Sequence, residues 1–218
     1  MARRRDERID HAVLDAVCDL VRESGYPALT MEAIAQRAGT TKPAIRRRWK
    51  SQKHVVVAAL AEARVGVVEI DTGCTCCDLI GHLDALRTGL ADPVFGRVLP
   101  ALTADLADDP ELREDFLTTF WAPRREACLV SLRKAEERGD LRPGHDAELL
   151  IDLFAAPVVF RTLFGHQELT SAFIEDVVRA VLAGVGTAEN GLCAHRGVTN
   201  PTKSRPTPAR HVTGATKP

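Results

Sequence analysis

No apolar run in the 218-residue chain approaches the roughly 18–20 residues that a membrane span needs. The N-terminal "MARRRDERID" is basic, but no apolar signal-type stretch follows it, which predicts a cytoplasmic protein with no membrane partner. No sustained alternation of β-branched residues occurs, so no sheet is expected. The phosphate-cradling Gly loop, the nucleophile elbow and the H-E-x-x-H helix are all missing, and with them the main sequence-level arguments for an enzyme. His145 in "PGHDAE" stands beside the helix cap Asp146, an ordinary surface position. No catalytic residue, metal or cofactor is expected.

The six cysteines follow no disulfide-framework spacing. Cys18 and Cys128 sit among apolar neighbours and read as small buried hydrophobes. "CTCC" places Cys74, Cys76 and Cys77 within four residues, and Cys193 with His195 forms a C-x-H pair. Thiolates are soft ligands, so such a cluster could hold Zn or Cu(I) or sense oxidation, making a metal- or thiol-responsive protein. No second C-x-x-C or H-x₃-H pair stands nearby to complete a four-ligand site. The plainer reading is a connection in which small residues are tolerated.

What the chain does have is an uneven charge. Residues 1–53 carry 12 basic and 7 acidic groups, a net of +5. Residues 54–186 carry 12 basic and 22 acidic groups, a net of −10, and residues 187–218 return to +4. The whole-chain value of −1 hides a basic head on an acidic body, so only the head suits a polyanion. The negative body argues against sequence-independent DNA packaging.

Apolar spacing predicts helices nearly throughout. Ile9, Val13, Ala16, Val17 and Leu20 make one stripe on a first helix from about Asp6 to Ser24, closed by Gly25 and Pro27. Thr30 caps a short helix over 31–38, Thr41 one from Lys42 to about Trp49, and Ser51 a fourth to about Val68. "DTGCTCCD" breaks head from body. Further helices are expected at about 78–90, 92–107, 109–138, 146–165 and 170–184, with Pro100, Pro123 and Pro157 bending or dividing theirs. "FAAPVVFRTLF" (154–164) is apolar almost all round, as in a buried helix or a subunit interface. From Thr187 the pattern stops, and the Pro- and Thr-rich basic tail is expected to be disordered.

The stretch 30–49 fits a helix-turn-helix. Ala35 is small where the two helices approach, Gly39 supplies the turn, and Ile45 inserts beneath the first helix. With Ile45 at 0° and about 100° per residue, Trp49 shares the inward face, Arg47 lies nearly opposite with Pro43 and Ala44, and Arg46 and Arg48 lie on the flanks. Such a helix can enter a major groove, with Arg47 at base edges and flanking cations at phosphates. A solvated basic face is the bland alternative, but no acid lies at i±4 to neutralise the run.

Residues 12–60, "AVLDAVCDLVRESGYPALTMEAIAQRAGTTKPAIRRRWKSQKHVVVAAL", resemble the DNA-binding domain of the TetR/AcrR family of bacterial transcriptional regulators. "DPELREDF", "APRREA" and "RGDLRPGHDAELLIDLFAAPVVFRTL" resemble that family's helical C-terminal domain. The resemblance implies an all-α fold. It has a three-helix helix-turn-helix DNA-binding domain at 1–53, a connecting helix at about 51–68, a ligand-binding and dimerisation domain at 69–186, and a tail at 187–218. It implies a homodimeric repressor, paired through helices at about 146–165 and 170–184, that leaves double-stranded operator DNA when a small-molecule effector binds. The implied DNA contacts are Thr30, Thr40, Thr41, Lys42, Pro43, Ala44, Arg46, Arg47, Arg48, Lys50 and Lys53. Arg3, Arg4 and Arg5 form either a minor-groove arm or a local excess of cations. Three positions depart from the family pattern: Arg46 replaces a Tyr that commonly touches phosphate, Ala44 replaces a hydroxyl residue, and Gln52 replaces a Lys. Candidate effector contacts are Phe95, Phe116, Phe120, Trp121, Phe154 and Phe160, with Arg124, Arg161 and His166 as polar options. An aromatic at helical spacing is more often a core residue than a pocket wall. The body's negative charge fits cationic or lipophilic effectors, or serves only to repel DNA.

Overall fold

The computed structural model describes residues 7–63 and 69–187. Its first part holds α1 (Glu7–Ser24), α2 (Met31–Arg37), α3 (Lys42–Arg46) and α4 (Gln52–Glu62). Its second holds α5 (Thr75–Ala91), α6 (Phe95–Asp108), α7 (Pro110–Asp115), α8 (Ala122–Glu137), α9 (Ala147–Phe164) and α10 (Ser171–Val185). The fold is all-α. Among the described residues the one extended pairing is an isolated bridge of Leu141 with Gly186, and no helix is long and apolar enough to cross a membrane. Arg3, Arg4 and Arg5, the expected end of the fourth helix at 64–68, and the tail from 188 with Cys193 and His195 lie outside the described residues. Thr187, the expected first residue of the tail, is tied down: its N–H donates to the Asp140 carbonyl at 2.9 Å.

The apolar stripe of α1 is buried at Val13, Ala16, Val17 and Val21, and packs on α2 and α4. Ile9 and Leu20 lie at its edge, half-buried. Threonine oxygens accept the orphan N–H groups at the starts of α2 and α3, Thr30 from Ala33 at 3.1 Å and Thr41 from Ala44 at 3.3 Å. Ser51 precedes α4 without capping it, because its hydroxyl meets His54 Nδ1 at 2.8 Å instead. In the body, Asp109, Asp146 and Thr170 cap α7, α9 and α10. Helix α5 runs through the centre of the body and packs on α6, α8, α9 and α10.

Three expectations change. The expected helix 109–138 is α7, a wide π-helical turn at Phe116–Trp121, and α8. Pro123 offers no N–H for the Thr119 carbonyl, and the Thr118 and Thr119 hydroxyls bond back to carbonyls one turn earlier, so the regular ladder opens at this point. Pro100 and Pro157, by contrast, lie inside α6 and α9 without ending them. Helix α5 begins at Thr75 rather than 78, which puts Cys76 and Cys77 in its first turn and Cys74 at its cap position. A buried polar tie fixes that start. Thr75 donates to Asp140 at 2.6 Å, and Arg138 bonds both, at 2.8 Å to Thr75 and 3.0 Å to Asp140. Cys128 is buried as expected, whereas Cys18 is only half-buried.

Candidate functional site

Helix α3 is set by its apolar side. Ile45 is fully buried, Ala35 of α2 is buried opposite it, and Gly39 between them takes a left-handed φ of 62°, which suits glycine. The regular helix stops at Arg46, short of the expected Trp49, although the Trp49 N–H still reaches the Ile45 carbonyl at 3.0 Å. Trp49 is half-buried against the core, so it holds the end of α3 to its scaffold.

The outward face differs from the sequence expectation on one side. Ala44 is buried, 7% exposed, and cannot face a groove. Arg48 turns the same way: its Nε donates to Asp10 of α1 at 2.5 Å and its Nη1 to the Ala44 carbonyl at 3.0 Å. Both partners of that ion pair are largely buried, with 13% and 14% of their side-chain surface exposed. The physical reason is that Arg48, just past the end of α3, reaches back to Asp10 of α1 and to the Ala44 carbonyl, so the flank carrying Ala44 and Arg48 is turned toward the scaffold. The exposed arc is then Lys42, Pro43, Arg46 and Arg47, spanning about 60° to 200° from Ile45, with Lys50 exposed beyond the end of the helix. Arg46, expected on the flank, falls nearer the middle of that arc.

Charge pairing sorts these cations further. Lys42 pairs with Glu32 at 2.8 Å. Lys50 pairs with Glu111 of α7, and Lys53 with Asp105 of α6 at 2.5 Å. Arg46 and Arg47 are exposed, and no carboxylate among the described residues pairs with them. Thr30 and Thr41 are exposed at the helix starts, while Thr40 is half-buried in the turn.

The expected effector contacts scatter. Phe95, Phe116 and Phe120 are core residues that stack on one another, with centroids 5.1 and 4.9 Å apart. Phe160, Arg161 and His166 gather at the far end of α9, where Arg161 covers the Phe173 ring and His166 meets Phe160 edge-on. Trp121, Arg124 and Phe154 do come together, in a cavity of about 70 Å³ between α5, α8 and α9. Its other walls are His82, Leu83, Leu86, Arg125, Cys128, Ile151 and Ala155. Sequence reading passed over these because aliphatic residues carry no signal separating a cavity wall from a packed core. His82 gave the usable hint, a lone polar group within the apolar stretch Leu79–Leu83. Cys74, Cys76 and Cys77 lie apart from this cavity, and among the described residues no group of three His, Cys, Asp or Glu could hold a metal ion.

Residues 13–59 match the model of the bacterial regulatory proteins of the tetR family, and residues 69–181 match the tetracyclin repressor-like C-terminal domain. The chain belongs to the TetR family. It is therefore a helix-turn-helix transcriptional regulator that binds DNA. The HTH-type transcriptional regulator YdeS of Bacillus subtilis is 31% identical over 84% of this chain and 92% of its own length. The DNA-binding transcriptional repressor TetR of Mycobacteroides abscessus is 27% identical over 82% of this chain and 94% of its own. Among solved structures, that of the TetR family transcription regulator SCO0332 superposes with a TM-score of 0.71 at 28% identity, covering 83% of this chain and all of that one.

In this TetR-family chain the head meets the body through charge. Besides the Lys50 and Lys53 pairs, the Tyr26 hydroxyl donates to Asp105, and Arg97 Nη1 donates to the Arg22 carbonyl at 3.0 Å. Partial burial pushes the Asp105 carboxyl up, but the Lys53 ammonium and the Tyr26 hydroxyl together hold it below the usual carboxylate range. A depressed acid stabilises the fold above its unfolded value of about 4, and that contribution is lost as pH falls through the lowered value. Asp105→Asn is expected to release Lys53 to the DNA backbone. Affinity for any duplex should rise and the salt slope should steepen by about one unit for each protomer bound, as measured by fluorescence anisotropy across a KCl series. An unchanged slope would remove Lys53 from the phosphate contacts.

Proposed function

We propose that two copies of this chain pair through α9 and α10, that the dimer represses transcription from a two-fold-symmetric operator in the cytoplasm, and that a small molecule bound in the α5–α8–α9 cavity releases it. The observation that carries the DNA reading is the exposed arc of α3, in which Arg46 and Arg47 stand ready for base edges or phosphates while neighbouring cations are paired with carboxylates. The dimer reading is supported by α9, which leaves Leu149, Leu153, Ala156, Phe160 and Leu163 exposed at alternating spacings of four and three. A regular apolar stripe of that kind is costly to leave in water and suits a helix–helix seam. Arg3, Arg4 and Arg5 are assigned to added backbone attraction, and Thr30, Thr41, Lys42 and Pro43 to the edges of the α3 contact.

Genomic fragments selected on the purified protein should share a palindrome. Its half-sites should lie about one helical turn of DNA, or a multiple, apart. Fragments with no common sequence, or with a single unpaired half-site, would overturn the operator or the dimer part respectively.

A further inference from the structure

The cavity between α5, α8 and α9 has a chemistry that the overall charge of the body conceals. Two arginines, Arg124 and Arg125, are among its lining residues, and no carboxylate is. Arg125 pairs with Glu148 of α9, outside the lining. Arg124 lies over the Phe120 ring, 3.5 Å from its centroid, and donates from Nη1 to the Phe120 carbonyl, so its planar fork is held in place. The remaining polar groups are neutral. Burial pushes the His82 imidazole below its ordinary value, and its Nε2 lies 2.8 Å from the Ser131 hydroxyl. Burial pushes the Cys128 thiol up to about 11. Leu83, Leu86, Trp121, Ile151 and Phe154 make the rest apolar.

Taking as its basis the reading of this cavity as the effector site, we propose that the effector is a small organic carboxylate whose apolar part fills the Leu83–Ile151–Phe154 pocket and whose anionic end meets Arg124. The net negative charge of the body suggested a cation, but most of that charge lies on exposed side chains. Such charges are screened beyond about 8–10 Å at physiological salt, whereas a guanidinium in an apolar wall acts at contact distance in a medium of lower dielectric. A guanidinium fork also matches a carboxylate with two parallel hydrogen bonds. Size limits the class. A water-sized group occupies roughly 10–15 Å³ of such space, so the cavity takes about six groups, a short chain or a single ring. Contact there reaches the head by a short route. Trp121 ends the π-helical turn, and that turn packs on α4, the helix following α3.

The test uses the full chain and calorimetric titration with four probes: hexanoate, benzoate, hexylamine and hexanol. The acids should bind, and hexylamine should not. Arg124→Met should weaken acid binding roughly ten- to a hundredfold while leaving hexanol within a factor of about two, because only a charge-assisted contact is lost. Ala155→Leu, which fills the cavity and leaves the charge, should weaken all the binders together and serves if Arg124→Met fails to fold. Equal or tighter binding of hexylamine, binding of neither acid, or acid binding indifferent to both variants would overturn the carboxylate assignment. Release of operator DNA is measured separately. Acids that bind through Arg124 without releasing DNA would leave the anion site standing and overturn the effector reading. DNA released by hexanol or hexylamine but not by the acids would do the reverse.

Discussion

Leu153→Asp combined with Phe160→Asp is expected to give a folded monomer that no longer holds its operator. In one protomer these side chains are 46% and 55% exposed, so carboxylates there remain hydrated and cost the monomer little. In a dimer closed along α9, two pairs of carboxylates would meet in an apolar seam, desolvated and mutually repelling. A single head retains only half of the operator contacts. Losing the second site removes an effective-concentration advantage of about 10²–10⁴ in affinity. Light scattering should report the monomer mass, circular dichroism an unchanged helix content, and gel shift the loss of operator binding. A dimer of wild-type affinity would place the seam elsewhere.

The second large effect is expected at α3. Replacing both Arg46 and Arg47 by Ala should lower operator affinity by about 2–6 kcal/mol for each protomer of the dimer, if each arginine contributes the roughly 1–3 kcal/mol usual at a base edge. The single variants should differ in kind. Arg47→Ala should lose operator affinity with little loss on random duplex, which is the mark of base reading. Arg46→Ala should lose on both if it takes the phosphate role that its family position implies, and mainly on the operator if its place near the middle of the exposed arc brings it to the bases. Equal loss on operator and random DNA for Arg47→Ala would remove its base-reading role. Competition gel shifts at two salt concentrations separate these outcomes.

The parts of the fold that follow a period were legible in the sequence. The α1 stripe, the Thr caps of α2 and α3 and the aspartate cap of α9 are local, because each depends on side chains within one or two turns. Ile45, Ala35 and Gly39 were legible for the same reason. What the wheel of α3 could not show is that one flank is turned toward the scaffold, where Arg48 meets Asp10 of α1. Ala44 is buried on that flank, and the Arg48–Asp10 pair depends on a contact between residues 38 apart in sequence. The pairing of Lys50 and Lys53 with Glu111 and Asp105 is longer in range still, at 61 and 52 residues. The cavity was the least legible feature. Three of the nine expected contacts line it, since a phenylalanine in the stacked core and one in a cavity wall look alike until the helices are assembled.

The wide turn at Phe116–Trp121 acts as a phase shifter along an otherwise continuous rod. One turn of the i→i+5 kind admits one residue more than a regular helix of similar course, so everything after it is rotated by about 100° relative to an unbroken α7–α8 helix. Phe116 and Phe120, within the turn, can therefore belong to the stacked core while Arg124, Arg125 and Cys128 meet a different neighbour after it. A helix normally tolerates no single-residue deletion without losing the register of its buried face. Here a deletion inside the turn would take out the extra residue and bring the two halves back to one helical register, with Pro123 still lacking the N–H of a regular ladder. Its effect would fall on alignment alone, carrying the cavity arginines round the axis and away from the space they now line.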